Sequence, residues 1–466
     1  MSKAAKFPDR IWRCLHCHGA LGVEAPGLKC KSCGRKYPEV SGIPILVKDP
    51  FGYLRSELAA LNQASSLARE RLEQIRRAGG GPELPQLSLD RHRDVLESEI
   101  SQAQMFLTLL EPAPITAETE TPARPSGWAI ETLLPYLIRD WTNTSELNDA
   151  RALIDTLLKR IFPATAGKTL AVAGCGAGGL LAGMAFEHVV GFDLTLPILG
   201  AARHLLDGKP LEVRLPRAIH PAGCIALHPH DAEAALNVMV AAMDAFETGF
   251  ADGVLDCVVT SFLIDLIPEP RRLAAEIHRI LSHDGVWINY GPSGPLKAPW
   301  RFDNAESAAF FETVGFSAIH AEAHRTTYLD LSREMPSWST RSHMCYLTAA
   351  RKIQGHPRFA ERQTQLLSQI ERAVPSHYPS ALIIRRQSVA PGSATTIALR
   401  CERLPGQMKN FAITAHDPVI LELVDGKRTV QEIAECLTRT EPTRSVDDTH
   451  QAFMRFFKQG LLTWHS

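Results

Sequence analysis

Residues 169–180 read TLAVAGCGAGGL, and residues 188–195 read HVVGFDLT. The first stretch opens as the short apolar run of a fully buried strand and closes in a cluster of glycines. Gly174, Gly176 and Gly178 stand where that strand turns toward a helix, expected over AGGLLAGMAFE. Glycines at such a turn let the backbone approach a ligand closely, and parallel sheets bind ligands at the carboxyl ends of their strands. The second stretch is another buried strand, ending on an acid, Asp193. Together they predict two neighbouring parallel strands with a ligand site at their open edge.

A GxGxG turn is shared with dinucleotide enzymes, so the neighbouring residues decide what it holds. An acid at the end of the next strand can accept both hydroxyls of a ribose. Residue 179 is a third consecutive small residue and no GK[ST] follows, which argues against a phosphate. S-adenosylmethionine, which carries a ribose and no phosphate, fits this pattern.

Working outward, LDCVVTSFLI and GVWINYGP read as further strands, with RRLAAEIHRILS as the helix between them. Alternation of this kind predicts a parallel sheet with helices on both faces. The run VVTSFLIDLIPEP, residues 258–270, carries one aspartate, Asp265, in apolar surroundings. A buried carboxylate costs several kcal/mol unless it is paired, so Asp265 has either a structural partner, such as a helix N-terminus before PEPRRL, or a chemical task.

Several separated stretches resemble the carnosine N-methyltransferase-like family of S-adenosylmethionine enzymes. They are LIRDWTNTSELNDAR, AGCGAGGL, GFDLTLPIL, TSFLID, GVWINYGP and TTYLDLS, spread over residues 130–352. The resemblance implies a Rossmann-like class I methyltransferase sheet of the α/β class that methylates an imidazole nitrogen. It implies cofactor contacts from Arg139, the three glycines, Asp193 and Ser261, with Asp244 and the adjacent Ala245 beside the adenine. It places Asp265 at the substrate imidazole as the catalytic residue and Phe262 as an aromatic wall. Tyr328 and His343 are expected near the substrate, with Asn289 and Tyr290 in a loop after the last core strand. Leu296 stands where the family has a histidine, and Arg341, Ser342 and His343 replace a trio of tyrosines. The imidazole end of the pocket is thus kept while the other end is rebuilt, which points to a small histidine derivative other than carnosine, or to a histidine in a peptide.

An N-terminal zinc ribbon is expected over residues 1–50. Cys14, Cys17, Cys30 and Cys33 form two CxxC pairs separated by twelve residues. Four thiolates satisfy tetrahedral Zn²⁺ with no open position, so the metal is read as structural. The continuation YPEVSGIPILV resembles ribbon modules that accompany methyltransferases, some of them acting on RNA. Residues 51–125 read as a helical segment and linker, residues 126–355 as the methyltransferase domain, and residues 356–466 as a small C-terminal winged-helix-like domain. That tail, with DGKRTVQEIAECL as its specific part, is similar to peptide-binding modules, so a peptide or protein partner is expected of it.

The chain has 466 residues, 45% hydrophobic and 22% charged, and a formal net charge of -1. Length alone suggests several domains at about 150 residues each. The balanced charge disfavours nucleic acid and acidic membrane as partners, although RNA methylation and a non-catalytic scaffold stay open as alternatives. The opening MSKAAKFPDR leads into no apolar signal core, and the remaining cysteines are scattered through apparent core segments. A reducing, cytoplasmic setting is expected.

Overall fold

In the computed structural model, Leu170 and Val172 point into one hydrophobic core, and Ala171 and Ala173 into a second on the opposite face. The same alternation holds for Val189 against Val190, and for Val240 against Met239 and Ala241. Successive side chains of a strand face opposite ways, so a near-continuous apolar run demands a sheet covered on both sides. The structure describes residues 9–78, 86–111, 130–142, 144–229, 237–267, 270–292, 310–312, 314–329, 331 and 341–353. Beyond these it describes 374–377, 382–388, 396–404, 407–412, 420–421, 423–425, 427–440, 462–465 and a few positions between 446 and 456.

The first unit, Met1–His356, contains the whole large sheet. Four short strands come first: β1 (Leu21–Val23), β2 (Gly27–Cys30), β3 (Lys36–Val40) and β4 (Ile43–Leu46). Four helices follow, α1 (Pro50–Ala78), α2 (Gln86–Leu109), α3 (Ile130–Trp141) and α4 (Ser145–Ile161). Then come β5 (Thr169–Ala173), β6 (His188–Asp193), α5 (Leu196–Leu206), the hairpin β7 (Leu211–Arg214) and β8 (Cys224–Leu227), and β9 (Val238–Met243). The unit continues with β10 (Leu255–Ser261), α6 (Pro270–Ile280), β11 (Leu281–Gly291), β12 (Phe316–Tyr328) and β13 (Arg341–Lys352). Among the described residues, eleven strands join in the order β1-β2-β3-β4-β9-β6-β5-β10-β11-β13-β12. Strands β4, β9, β6, β5, β10 and β11 run parallel, and β13 and β12 close the far edge antiparallel. Residues of α1 to α5 fill one core, while α6 and the N-terminal strands fill the other.

Three expectations are corrected. The stretch AGGLLAGMAFE forms no α-helix: only a 3-10 turn over Gly179–Leu181 is present, followed by Gly183 at a φ of 86°. Three glycines in seven residues carry a large helix penalty, and Gly179 approaches α3 too closely for the chain to continue as a regular helix. Second, Asn289 and Tyr290 lie inside β11, paired with Thr260 and Ser261 of β10, not in a loop after it. Third, the N-terminal strands β1 to β4, expected as a separate unit, are continuous with the large parallel sheet. Strand β4 pairs in parallel with β9 through Ile45↔Ala242 and Leu46↔Met243, and Trp12 stacks on Phe250 with ring centroids 5.3 Å apart. Without β4, the buried strand β9 would present an unpaired edge.

The second unit, Pro357–Ser466, is separate by compactness. Its described parts are an antiparallel pair of β14 (Val374–His377) with β18 (Leu462–His465), and an antiparallel sheet of β15 (Leu382–Ser388), β16 (Thr396–Leu404) and β17 (Gln407–Ala412). Helix α7 (Val430–Thr440) lies between β17 and β18 in the sequence. It begins with a capping box, in which the Thr429 hydroxyl accepts the Glu432 N–H and the Glu432 carboxylate accepts the Thr429 N–H.

Candidate active site

The carboxyl ends of β9, β6, β5 and β10 are neighbours in the sheet, and they carry Asp244, Asp193, the glycine turn and Ser261 in that order. Gly174, Gly176 and Gly178 all have left-handed φ values, 66°, 52° and 81°. A β-carbon on Gly174 would meet Leu263 at 2.9 Å, whereas one on Gly176 would project into open space. The turn therefore leaves a hollow at the position where a ligand backs onto the chain.

Asp193 locks this turn. Its Oδ2 accepts the Gly176 N–H at 3.0 Å and its Oδ1 accepts the Thr195 N–H at 2.9 Å. Burial pushes the Asp193 pKa above the ordinary carboxylate value, against the pull of the two backbone N–H groups. Asp244 lies just after β9, where its Oδ1 accepts the Phe246 N–H at 2.8 Å in a tight turn. Ala245, between them, packs half-buried against the second core.

Between the sheet and helices α3 and α4 opens a small cleft, lined by Arg139, Glu146, Gly174, Ser261 and Phe262 among others. Arg139 Nε donates to Asp140 Oδ1 at 2.7 Å, and its Nη1 lies 3.7 Å from Glu146. Burial opposes the guanidinium charge, but these two carboxylates outweigh it and hold its pKa above the ordinary value.

The acceptor side is aromatic. Phe262 has a φ of 50°, an uncommon conformation for a bulky residue and one that costs on the order of 1–3 kcal/mol. It is held by its N–H donating to the Tyr290 carbonyl at 2.9 Å, and glycine at 291 leaves room for its backbone. The Phe262 ring lies 4.9 Å from Tyr328 and 5.8 Å, edge to face, from Tyr290. His343 meets Tyr328 edge to face at 5.2 Å. Asp265 is buried, with 5% of its surface exposed. It does not line the cleft itself, yet it is close enough to act on Tyr328, whose pKa is raised by burial first, then by Tyr136 and by Asp265. Burial likewise pushes Tyr290 up to about 12.

The structure thus brings Arg139, the glycines, Asp193 and Ser261 to one side of the site, and Phe262, Asp265, Tyr290, Tyr328 and His343 to the other. It removes Asn289, which faces the opposite side of the sheet from Tyr290. Asn289 Oδ1 accepts the Thr260 hydroxyl at 2.9 Å, and Thr260 Oγ1 in turn accepts the Trp287 indole N–H at 2.9 Å, so Asn289 belongs to a buried strand-to-strand network. Leu296 lies outside the described residues. Sequence reasoning missed Tyr136, whose hydroxyl pairs with that of Tyr328 at 3.1 Å and whose ring lies 5.4 Å from the Arg139 guanidinium. Its spacing of three from Arg139 on one helix was the available signal. It also missed Tyr53 of α1, which donates to the Leu194 carbonyl at 2.7 Å, next to Asp193.

At the other end of the unit, the sulfurs of Cys14, Cys17, Cys30 and Cys33 all lie within 4.8 Å of one another. Each CxxC pair closes the same way: His18 N–H donates to the Cys14 carbonyl and Gly34 N–H to the Cys30 carbonyl, with residues 18 and 34 both left-handed. Backbone N–H groups of His16, Ser32 and Cys33 also point at the sulfurs at 3.4 Å. This arrangement favours thiolates and fits a tetrahedral ion. His16 and His18 are exposed beside it.

Comparison with known proteins agrees with the geometry. Residues 171–288 match the family described as Methyltransferase domain. A phosphatidylethanolamine N-methyltransferase of Cereibacter sphaeroides is 40% identical over 70 residues, covering 13% of this chain and 34% of that protein. The chain therefore spans about a third of the length of the curated relative it matches. Among solved structures, a phosphoethanolamine N-methyltransferase 2 from Haemonchus contortus is 19% identical, with 43% of this chain and 52% of that one covered at a TM-score of 0.30. The YcgJ protein of Bacillus subtilis is 14% identical, with 43% and 98% covered at a TM-score of 0.31. Residues 171–288, which hold the glycine turn, Asp193 and Asp265, thus match a methyltransferase domain.

Proposed function

We propose that this chain transfers a methyl group from S-adenosylmethionine to an imidazole-type nitrogen of a small histidine derivative or a histidine-containing peptide. The observation that carries the reading is Asp265: a buried carboxylate behind the Phe262 and Tyr328 rings, one short turn beyond a strand whose parallel neighbour bears the glycine turn. Arg139, Asp193 and the glycines would hold the cofactor, which supplies a methyl group already activated on a sulfonium. Asp265 accepts the N–H of a neutral imidazole and so leaves the lone pair of the other nitrogen to attack. As charge develops on the ring, the same carboxylate stabilises the imidazolium. Alignment by the aromatic wall provides much of the remaining rate.

A second reading, an alkylamine acceptor, is favoured by the same wall. Three aromatic rings beside a carboxylate suit a cationic nitrogen, and the partly matching Cereibacter sphaeroides relative is a phosphatidylethanolamine N-methyltransferase. The discriminating assay offers the full chain labelled S-adenosylmethionine with histidine, histidyl dipeptides, histidine peptides, ethanolamine and phosphoethanolamine. Label on the imidazoles, abolished by Asp265→Asn while cofactor still binds, supports the first reading. Label only on the amines rejects it in favour of the second.

The four cysteines are read as holding structural Zn²⁺. The C-terminal unit is read as a winged-helix-like module for a peptide partner, a reading supported by the capped helix α7 and the β15–β17 sheet. Neither nucleic acid nor membrane is proposed as a partner; among the described residues no helix is long and apolar enough to cross a membrane.

A further inference from the structure

The glycine turn leads into a single 3-10 turn, so an α-helix does not satisfy its backbone groups. Side chains from α3 and α4 take over. Asp140 Oδ2 accepts the Gly179 N–H at 3.0 Å, the Trp141 indole N–H donates to the Ala177 carbonyl at 2.8 Å, and Arg151 donates to the Gly179 carbonyl. Asp140 is 1% exposed, and its other oxygen accepts Arg139 Nε at 2.7 Å. Helix and turn meet in close contact: a β-carbon on Gly179 would lie 2.5 Å from that of Asp140.

We infer that Asp140 is a positioning residue for the cofactor, one carboxylate that ties the glycine turn to α3 while aiming Arg139 into the cleft. Trp141 and Arg151 complete the strap. The consequence is that α3, which precedes the sheet in sequence, sets the shape of the cofactor turn in place of the missing helix. Arg139 also reaches Tyr136, and through it Tyr328, so the same helix spans both halves of the site. The ligand's identity rests on the proposed methyltransferase reading; the strap itself does not.

The experiment combines hydrogen exchange by mass spectrometry with titration of S-adenosylhomocysteine into the full chain, for wild type, Asp140→Asn and Gly179→Ala. The second variant keeps the carboxylate and breaks only the close approach. Losing a charge-assisted bond costs on the order of tenfold in a local equilibrium. Peptides covering 174–187 are expected to exchange roughly tenfold faster in both variants while β5 and β10 stay protected, and the dissociation constant is expected to rise by roughly tenfold. In turnover, the KM for S-adenosylmethionine rises with kcat little changed. Unaltered exchange of 174–187 in both variants overturns the inference, as does a uniform loss of protection across the unit. Failure of wild type to bind S-adenosylhomocysteine overturns the methyltransferase reading instead, and the exchange pattern still decides the strap.

Discussion

Asp193 and Gly176 are joined by a 3.0 Å hydrogen bond from the glycine N–H to the carboxylate, which ties the end of β6 to the turn after β5. One side chain thus shapes the turn and, on the proposed reading, would also meet the ribose of the cofactor.

That double duty gives a pH dependence whose two signs differ. Burial raises the Asp193 pKa, so cofactor affinity, which needs the carboxylate, falls as pH drops through the raised value. The stability of the ligand-free chain runs the other way: a raised folded-state pKa contributes stability that is present below the ordinary carboxylate pKa and lost as pH rises through the raised one. S-adenosylhomocysteine titrations from mildly acidic to neutral pH check this. Asp193→Asn is expected to bind weakly at every pH, with a flat profile.

The cysteine cluster carries a second expectation. Strand β4 covers the edge of β9 and Trp12 stacks on Phe250, so removing a metal that the four sulfurs would share is expected to loosen more than the cysteine turns. Chelation, or Cys14→Ser, is expected to lower the melting temperature of the whole first unit and to raise exchange along β9. Intact protection of β9 without metal would refute this.

Tyr328 tests the acceptor wall. Tyr328→Phe keeps the ring against Phe262 but removes the hydroxyl bonded to Tyr136. The acceptor KM should change by only a few-fold, in line with one neutral hydrogen bond of about 1 kcal/mol. Tyr328→Ala, which removes the ring, is expected to cost roughly a further tenfold or more.

Away from the site, Glu276 is 8% exposed and accepts from Arg279, Thr248 N–H and Thr248 Oγ1. Glu276→Ala leaves the Arg279 guanidinium with the exposed Asp252 and the Phe250 carbonyl but without its buried carboxylate, and a loss of about 2 kcal/mol in urea unfolding is expected. A change below about 1 kcal/mol would show that water replaces the carboxylate.

Much of this was legible in the sequence, for local reasons. A strand buried on both faces must be apolar throughout, so β5, β6 and β10 announce themselves, and three left-handed positions require glycine at 174, 176 and 178. The CxxC spacing fixes which sulfurs converge. Asn289 lies in a strand and not in the expected loop after it, because cross-strand bonding to Thr260 satisfies its side chain there. The helix expected after the glycine turn is absent because three glycines in seven residues disfavour it and Gly178 and Gly183 take left-handed φ values.

Sequence by itself determined the parallel sheet, the open edge with its glycines and acid, and the four-sulfur cluster, because strand periodicity, backbone freedom and ligand spacing are local properties. Tertiary structure alone decided that the N-terminal strands extend the sheet, that Asn289 faces away from Tyr290, and that α3 grips the glycine turn. Those outcomes depend on strand pairing and on hydrogen bonds between residues tens to hundreds of positions apart, and short-range pattern carries no information about them.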